Sequence, residues 1–501
     1  MRRDQPNPPS RWGWVSPPRA FVWVALLFGL PLAFITAPFQ APDEPQHFLR
    51  AYQIAEGGLL PVRRGEHGGA ELPLSLIQVP HRFAYLRFHP DEKTSLAQIR
   101  AAMQVPLDPD RRQFIPFVTA IYSPVAYVPQ AIAIAIGRQL ALDPLGLMYL
   151  ARCFNLLAWI LLGYLALRIT PACHRALLLL LLMPMSLFQA ASMSADATTN
   201  GLAVLFAAMV MRMAILQKAD KEPSRTDREG EAPAEPERIA RERSPLGRSL
   251  ALPSWVAITA ISAALTLTKF AYLPLAASVL LIPSTRFGSR TKYLASLTAF
   301  FAANMAVILL WAPQTRGLNA VVNDDPRVSP PGQIEYLRTH PSAVITVAAH
   351  SIAGEGWSMV RSCVGWLGSM DARMNGTFII AYLIALFLAC WSERSAPAPI
   401  PLSRWISVTL IPGAFAIGAI GLLNYVFWTR VGLAHVEGLQ GRYLLPIAPG
   451  IVYLVWALTR RLPGPPWSFL SQRKVDAIGT GITVLGSGYA IILVYFRYYV
   501  R

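Results

Sequence analysis

Apolar runs of about 15 to 24 residues recur along the chain, each close to the length that crosses a lipid bilayer. Inside lipid every backbone N–H and C=O needs an internal partner, which confines such runs to helices. They fall at about Phe21–Phe39, Phe117–Ile136, Gly146–Leu167, Ala176–Met193, Thr198–Leu216, Leu294–Pro313, Gly376–Trp391, Trp405–Trp428, Tyr443–Leu458 and Ala477–Phe496. A further stretch, Pro253 to Pro283, is interrupted by Lys269. A lysine at mid-membrane is costly, so a hairpin is expected there, Ser254–Thr268 and Phe270–Ile282, with Lys269 at its exterior apex. The fold class is an all-α polytopic integral membrane protein with about twelve transmembrane helices.

The chain is basic, with 45 Lys and Arg against 28 Asp and Glu, a balance that in a soluble protein would suggest nucleic acid. Here the basic residues collect in loops, as the positive-inside rule requires of cytoplasmic segments. No zinc-finger, RNA-binding or helix-turn-helix pattern is present, and nucleic acid is not an expected partner. Arg2, Arg3, Arg11 and Arg19 precede the first run, so the N-terminus is expected in the cytoplasm behind an uncleaved signal anchor. Residues 40–116 then form a long exterior loop, with a helix at Glu44–Glu56 lying along the membrane surface and another at Lys93–Met103. Residues 217–250, rich in Arg, Glu and Pro, read as a disordered cytoplasmic loop. They divide an N-terminal membrane module, 1–216, from a C-terminal one, 251–501, which carries a second exterior loop at 314–375. Arg168 and Arg175 look cytoplasmic, which two simple crossings between Pro116 and Arg168 would not allow. The segment carrying Pro124 and Pro129 is therefore expected not to cross simply. The four cysteines form no CxxC pair, which argues against a disulfide framework or a metal cluster.

Chemistry concentrates where the first run ends. Asp43 and Glu44 stand between Pro42 and Pro45, which stiffen the backbone on both sides. Adjacent carboxylates at a membrane rim suit a metal ion such as Mg²⁺ or Mn²⁺, or a base that deprotonates a hydroxyl. His47 and Arg50 follow at once. On the same expected side lie Asp196, in a run of small residues where it can also cap the helix beginning near Ala197, and Lys269. Arg442 and Tyr443 mark the mouth of a later span. Lys269 and Arg442 can neutralise a phosphate, the guanidinium having the fork geometry for two oxygens; each can equally be an interfacial side chain reaching for water. His340 and His350 lack zinc-site spacing. Ser192 and Ser194 lack the surroundings of a hydrolase nucleophile, and neither a Walker A nor a dinucleotide glycine pattern occurs.

Four segments, taken together and in order, resemble a known family. They are Pro42-Asp43-Glu44-Pro45-Gln46-His47-Phe48-Leu49-Arg50-Ala51-Tyr52, Ser192-Met193-Ser194-Ala195-Asp196, Leu267-Thr268-Lys269-Phe270-Ala271-Tyr272-Leu273-Pro274-Leu275 and Gln440-Gly441-Arg442-Tyr443-Leu444-Leu445-Pro446. The chain is identified by them as a member of the bacterial membrane-protein family called domain of unknown function 2142, a name that carries no activity. More distantly the layout is similar to the GT-C glycosyltransferases, including protein mannosyltransferases and aminoarabinose transferases. That resemblance implies a polyprenyl-phosphate sugar donor and an acidic motif in the first exterior loop, here Asp43 and Glu44, with one carboxylate as base or metal ligand. It places the donor phosphate on Lys269. The chain departs from the pattern in having no acidic residue just before Tyr122-Ser123-Pro124.

The expected function is a GT-C-like transferase of the bacterial cytoplasmic membrane, moving a sugar to a cell-envelope polysaccharide or glycolipid with inversion. Asp43 and Glu44 are the expected catalytic and metal-binding residues. His47, Arg50, Asp196, Lys269, Arg442 and Tyr443 are the expected substrate ligands. A transporter or flippase of lipid-linked saccharides, or an inert assembly factor, are the alternatives. A transporter would place its ionisable groups near mid-membrane between repeats, whereas here they gather at one rim and no repeat is visible. Asp43, Glu44, Asp196, Lys269 and Arg442 are expected to converge in one exterior-facing cavity.

Overall fold

The structure, a computed structural model, describes residues 16–215, 254–318, 325–393, 400–462 and 472–500; the expected loop 217–250 lies outside them. Among the described residues six helices are long and apolar enough to cross a membrane: Pro17–Ile35, Pro144–Ile169, Ala195–Ile215, Arg290–Thr315, Leu402–Phe427 and Gln472–Tyr499. Shorter apolar helices accompany them at Ser254–Thr268, Phe270–Leu281, Gly376–Ser392 and Ala448–Thr459.

The gap between these and about twelve expected spans lies largely where proline interrupts a run. The run at 176–193 divides into His174–Leu181 and Pro184–Ala190, because Pro184 has no N–H with which to continue the first piece. The run at 117–136 becomes two tight turns, Val118–Ile121 and Pro124–Tyr127, and then the 12-residue helix Val128–Gln139. Twelve residues of helix rise only about 18 Å, against a hydrocarbon core of about 30 Å. The helical part of the segment with Pro124 and Pro129 is thus too short to cross by itself.

The first helix shows how the apolar body is assembled. Prolines in its first turn occupy positions whose N–H would be unpaired in any case. One face, with Phe21, Ala25 and Leu32, is buried, while Trp23, Leu27 and Phe34 point outward. Helices in lipid gain from close contact more than from hiding apolar surface, and small residues permit that contact. A Cβ on Gly163 of the Pro144–Ile169 helix would stand 2.6 Å from the ring of Phe21.

The all-α expectation needs one correction. Residues 62–116 contain a three-stranded antiparallel sheet, Val62–Arg64, His67–Pro73 and Arg112–Pro116 in that order, with Gly69 opposite Pro116. A two-residue ladder joins 366–367 to 372–373. Strands this short leave no periodic signal. The Glu44–Ala55 helix is also corrected: Phe48, Leu49, Ala51 and Tyr52 are all buried, so it is clasped within the protein and does not lie on the membrane surface. Between Ser254–Thr268 and the tight turns of Phe270–Leu281, Lys269 has extended backbone and breaks the stretch where the lysine predicted it. The second long loop is largely helical, Pro330–Thr339 and Ala343–Gly365.

The last helix ties the body to the sheet region. At its far end Arg175 pairs with Asp476. At its near end Arg497 bonds Asp371 at 2.7 Å and donates to the carbonyls of Leu86, His89 and Glu92. Lys93 in turn caps the helix, donating to the carbonyls of Phe496 and Arg497.

Candidate functional site

A cavity of about 570 Å³ opens between the sheet region and the apolar body, and it collects Asp43, His47, Asp196, Lys269, Arg442 and Tyr443 from four separate segments. Asp43 sits just before the Glu44–Ala55 helix with φ +59 and makes no side-chain cap. Its carboxylate accepts from Arg442 Nη2 at 2.8 Å instead, and Arg87 lies 3.7 Å away on the other oxygen. Asp196 is free for similar work because Ser194 caps its N–H at 3.0 Å. One oxygen of Asp196 bonds Lys269 Nζ, and the other faces Arg442 Nη1 at 3.5 Å. The result is a chain of alternating charge, Arg87, Asp43, Arg442, Asp196, Lys269, in which three cations meet two carboxylates. The ring of Tyr443 lies beneath two of the cations, 5.6 Å from Lys269 Nζ and 5.5 Å from the Arg442 guanidinium.

Backbone constraints hold these groups. Arg442 belongs to the turn Gly441–Leu444, and a Cβ on Gly441 would stand 2.1 Å from the carbonyl oxygen of Met359. Only glycine lets the turn press against the Ala343–Gly365 helix, where Gly441 N–H donates to Ser362 Oγ at 2.8 Å. Of the six non-glycine residues with positive φ among those described, three line this cavity: Asp43, Phe88 and Met370. Each such conformation costs about 1–3 kcal/mol and persists only where its surroundings impose it, typically at functional sites.

The titratable groups outside the spans are shifted in ways the geometry explains. Burial pushes the Asp43 carboxyl upward, but Arg442, His47 and Arg87 together outweigh it and hold its pKa below the ordinary carboxylate value. Burial drives His47 down to about 4, so it is neutral at pH 7, and its Nδ1 pairs with Tyr127 Oη at 2.8 Å. The native state thus refuses a proton that the unfolded chain accepts below about pH 6.5. His47 should therefore take away stability as pH falls from about 6.5 towards 4, by about 2 kcal/mol at pH 5. Thermal unfolding in detergent between pH 7 and pH 5 checks this, since His47→Gln should flatten the profile; an unchanged profile would refute it.

Two expected site residues are placed elsewhere. Glu44 is fully buried and turns away from the cavity: Arg152 bonds both its oxygens, at 2.8 and 2.6 Å, and Met193 N–H donates to it at 2.9 Å. The left-handed turn at Asp43 sends its side chain to the cavity, while Glu44, the first residue of the helix, points into the protein against Arg152. Arg152 also donates to the carbonyls of Ala33, Thr36 and Ala37, closing the end of the first helix. Arg50 is likewise buried, its guanidinium spent on the carbonyls of Tyr122 and Leu59. It positions Tyr122, which lines the cavity, and cannot reach a ligand there.

A metal held by Asp43 and Glu44 does not fit this arrangement. Glu44 is committed to Arg152, Asp43 and Asp196 are committed to Arg442 and Lys269, and no group of three His, Cys, Asp or Glu gathers among the described residues. Arg87, Tyr122, Tyr127 and Arg152 were not read from the sequence. For Arg152 a signal existed, an arginine inside the apolar run at 146–167, since ionisable groups at that depth are retained for a partner or a function.

The fold and the site define a polytopic helical membrane protein with a charge-lined cavity beside its apolar body. Residues 26–229 and 241–451 match the family described as "Predicted membrane protein (DUF2142)", and the chain belongs to that family. A comparison with curated proteins finds no match. Among solved structures the chain is similar to ArnT from Cupriavidus metallidurans in the apo state, at 13% identity and a TM-score of 0.40, covering 95% of this chain and 76% of that one. It is also similar to the same protein bound to undecaprenyl phosphate, at 14% identity and a TM-score of 0.34 with the same coverage.

Proposed function

We propose that this protein is a membrane glycosyltransferase that takes a sugar from a polyprenyl-phosphate donor and passes it to an envelope polysaccharide or glycolipid on the exterior face of the bacterial cytoplasmic membrane. One observation carries the reading. Arg442 is only 5% exposed, yet its Nε and Nη1 have no hydrogen-bond partner among the described residues. A buried guanidinium with unused donors is expensive unless a ligand completes it. Lys269, on the other side of Asp196, supplies a second cation, and a phosphate ester at headgroup depth matches both.

In the proposed reaction the acceptor hydroxyl gives its proton to the Asp43 carboxylate while its oxygen attacks the anomeric carbon. The bond from that carbon to the phosphate oxygen breaks, and the phosphate keeps the electron pair. A single displacement of this kind inverts the configuration. Charge moves consistently: Asp43 loses its negative charge as the phosphate gains one, and Arg442 touches both positions. Arg442 released from Asp43 is free to hold the leaving phosphate, a contact made strongest in the transition state.

Replacing Arg442 by Gln or Lys269 by Met should each weaken undecaprenyl-phosphate binding by about 10- to 100-fold, the range for a hydrogen bond to a charged group. Titration of the protein in nanodiscs with that lipid measures it. Affinity unchanged in both variants would sink the donor assignment.

A further inference from the structure

We propose that Arg87 and Phe88 form a second binding site, at the cavity mouth, for a saccharide that carries a negative charge. The inference rests on the glycosyltransferase reading and names the chemistry of the acceptor.

Arg87 is the cation of the cavity that the inner cluster does not consume. Its side chain is 43% exposed and 3.7 Å from Asp43, too far for a hydrogen bond, and Asp43 is already bonded to Arg442. No described residue accepts a hydrogen bond from the Arg87 guanidinium, which leaves a planar fork of five donors at the mouth. A carboxylate or phosphate ester takes such a fork two bonds at a time.

The neighbouring residue gives the ligand its second attribute. Phe88 is 64% exposed and holds φ +62, so a bulky residue pays for a left-handed backbone without burying its ring. Its ring lies 4.9 Å from the Arg87 guanidinium and faces the cavity. A sugar ring has an apolar C–H face and a polar rim. The phenyl face covers the first and the guanidinium meets an anionic group on the second. Arg87 and Arg442 flank Asp43 on its two oxygens. A saccharide held by its charge on Arg87 therefore brings its hydroxyls toward Asp43, while the donor phosphate occupies Arg442 and Lys269. The two substrates are kept apart by the group that moves the proton.

The test uses the full chain in nanodiscs and three probes: trigalacturonate, its methyl ester, and mannose 6-phosphate. Binding of trigalacturonate about tenfold or more tighter than its ester is expected from one charge-assisted contact. Arg87→Gln should erase that preference, and Phe88→Ala should weaken acid and ester alike, with Phe88→Trp restoring both. Mannose 6-phosphate binding that depends on Arg87 assigns phosphorylated saccharides to the same site, whereas acid binding alone assigns uronates. Undecaprenyl-phosphate titration of the same samples reports that each variant is folded. Equal binding of acid and ester, a preference that survives Arg87→Gln, or no saturable binding of any probe would overturn the inference. If the lipid still binds through Arg442 in that case, the transferase reading stands and only the acceptor assignment falls.

Discussion

Asp43→Asn should cost the protein about 10²- to 10⁴-fold in sugar transfer, the usual worth of a positioned general base. Its affinity for undecaprenyl phosphate should stay the same or rise. The asymmetry follows from the pairing of Asp43 with Arg442. Asparagine keeps the shape and loses the charge, so Arg442 is released toward the phosphate while the acceptor hydroxyl keeps its proton. The same pairing makes the proposed role consistent with a carboxyl held below its ordinary pKa. In the proposed reaction a donor phosphate draws Arg442 away, the influence that lowered the pKa weakens, and the basicity of Asp43 is expected to rise once the donor is in place. Labelled-sugar transfer and lipid titration on the same sample separate the effects. Undiminished transfer by a folded Asp43→Asn protein would remove Asp43 from the reaction.

Arg152→Met should destabilise the protein by about 3–5 kcal/mol, because it strands the Glu44 carboxylate without its partner in a site with no water contact. Glu44→Gln should also destabilise, by leaving the guanidinium half satisfied. The double change Glu44→Leu with Arg152→Met should recover much of the loss, since apolar pairs often replace buried ion pairs at little cost. Thermal unfolding in one detergent measures all three. Single variants that melt with the wild type would show that the pair is not structural. Glu44→Gln protein that stays folded should still transfer sugar, an outcome that distinguishes it from Asp43→Asn.

The site was legible where ionisable residues interrupt apolar runs. Lys269 could be read as costly within its apolar run, and Asp43, Asp196 and Arg442 as gathering with it at one exterior rim, which pointed to a shared place. What could not be read was direction. Asp43 and Glu44 are adjacent, but a left-handed turn separates Asp43 from the helix that Glu44 begins, and only the path of the chain into that helix decides which faces the cavity. Arg50 was misplaced for the same reason. Arg87 and Phe88 lie in a stretch with no periodicity, and their significance comes from a backbone conformation that composition does not reveal. The sheet escaped because its strands are three to seven residues long, and the second and third pair across a separation of 39 to 47 positions.

The last helix has a bearing on the whole molecule. Residue 17 begins a helix whose other end, at Ala33 to Ala37, is closed by Arg152 beside the cavity. The helix ending at Tyr499 begins near Arg175 and finishes against Leu86, His89 and Lys93, also on the cavity side. Both helices thus run in the same direction, away from the far face. Two of the six long helices therefore end their rows of carbonyls at the same rim, and in each a basic side chain from another segment takes up those carbonyls, Arg152 for the first and Lys93 for the last.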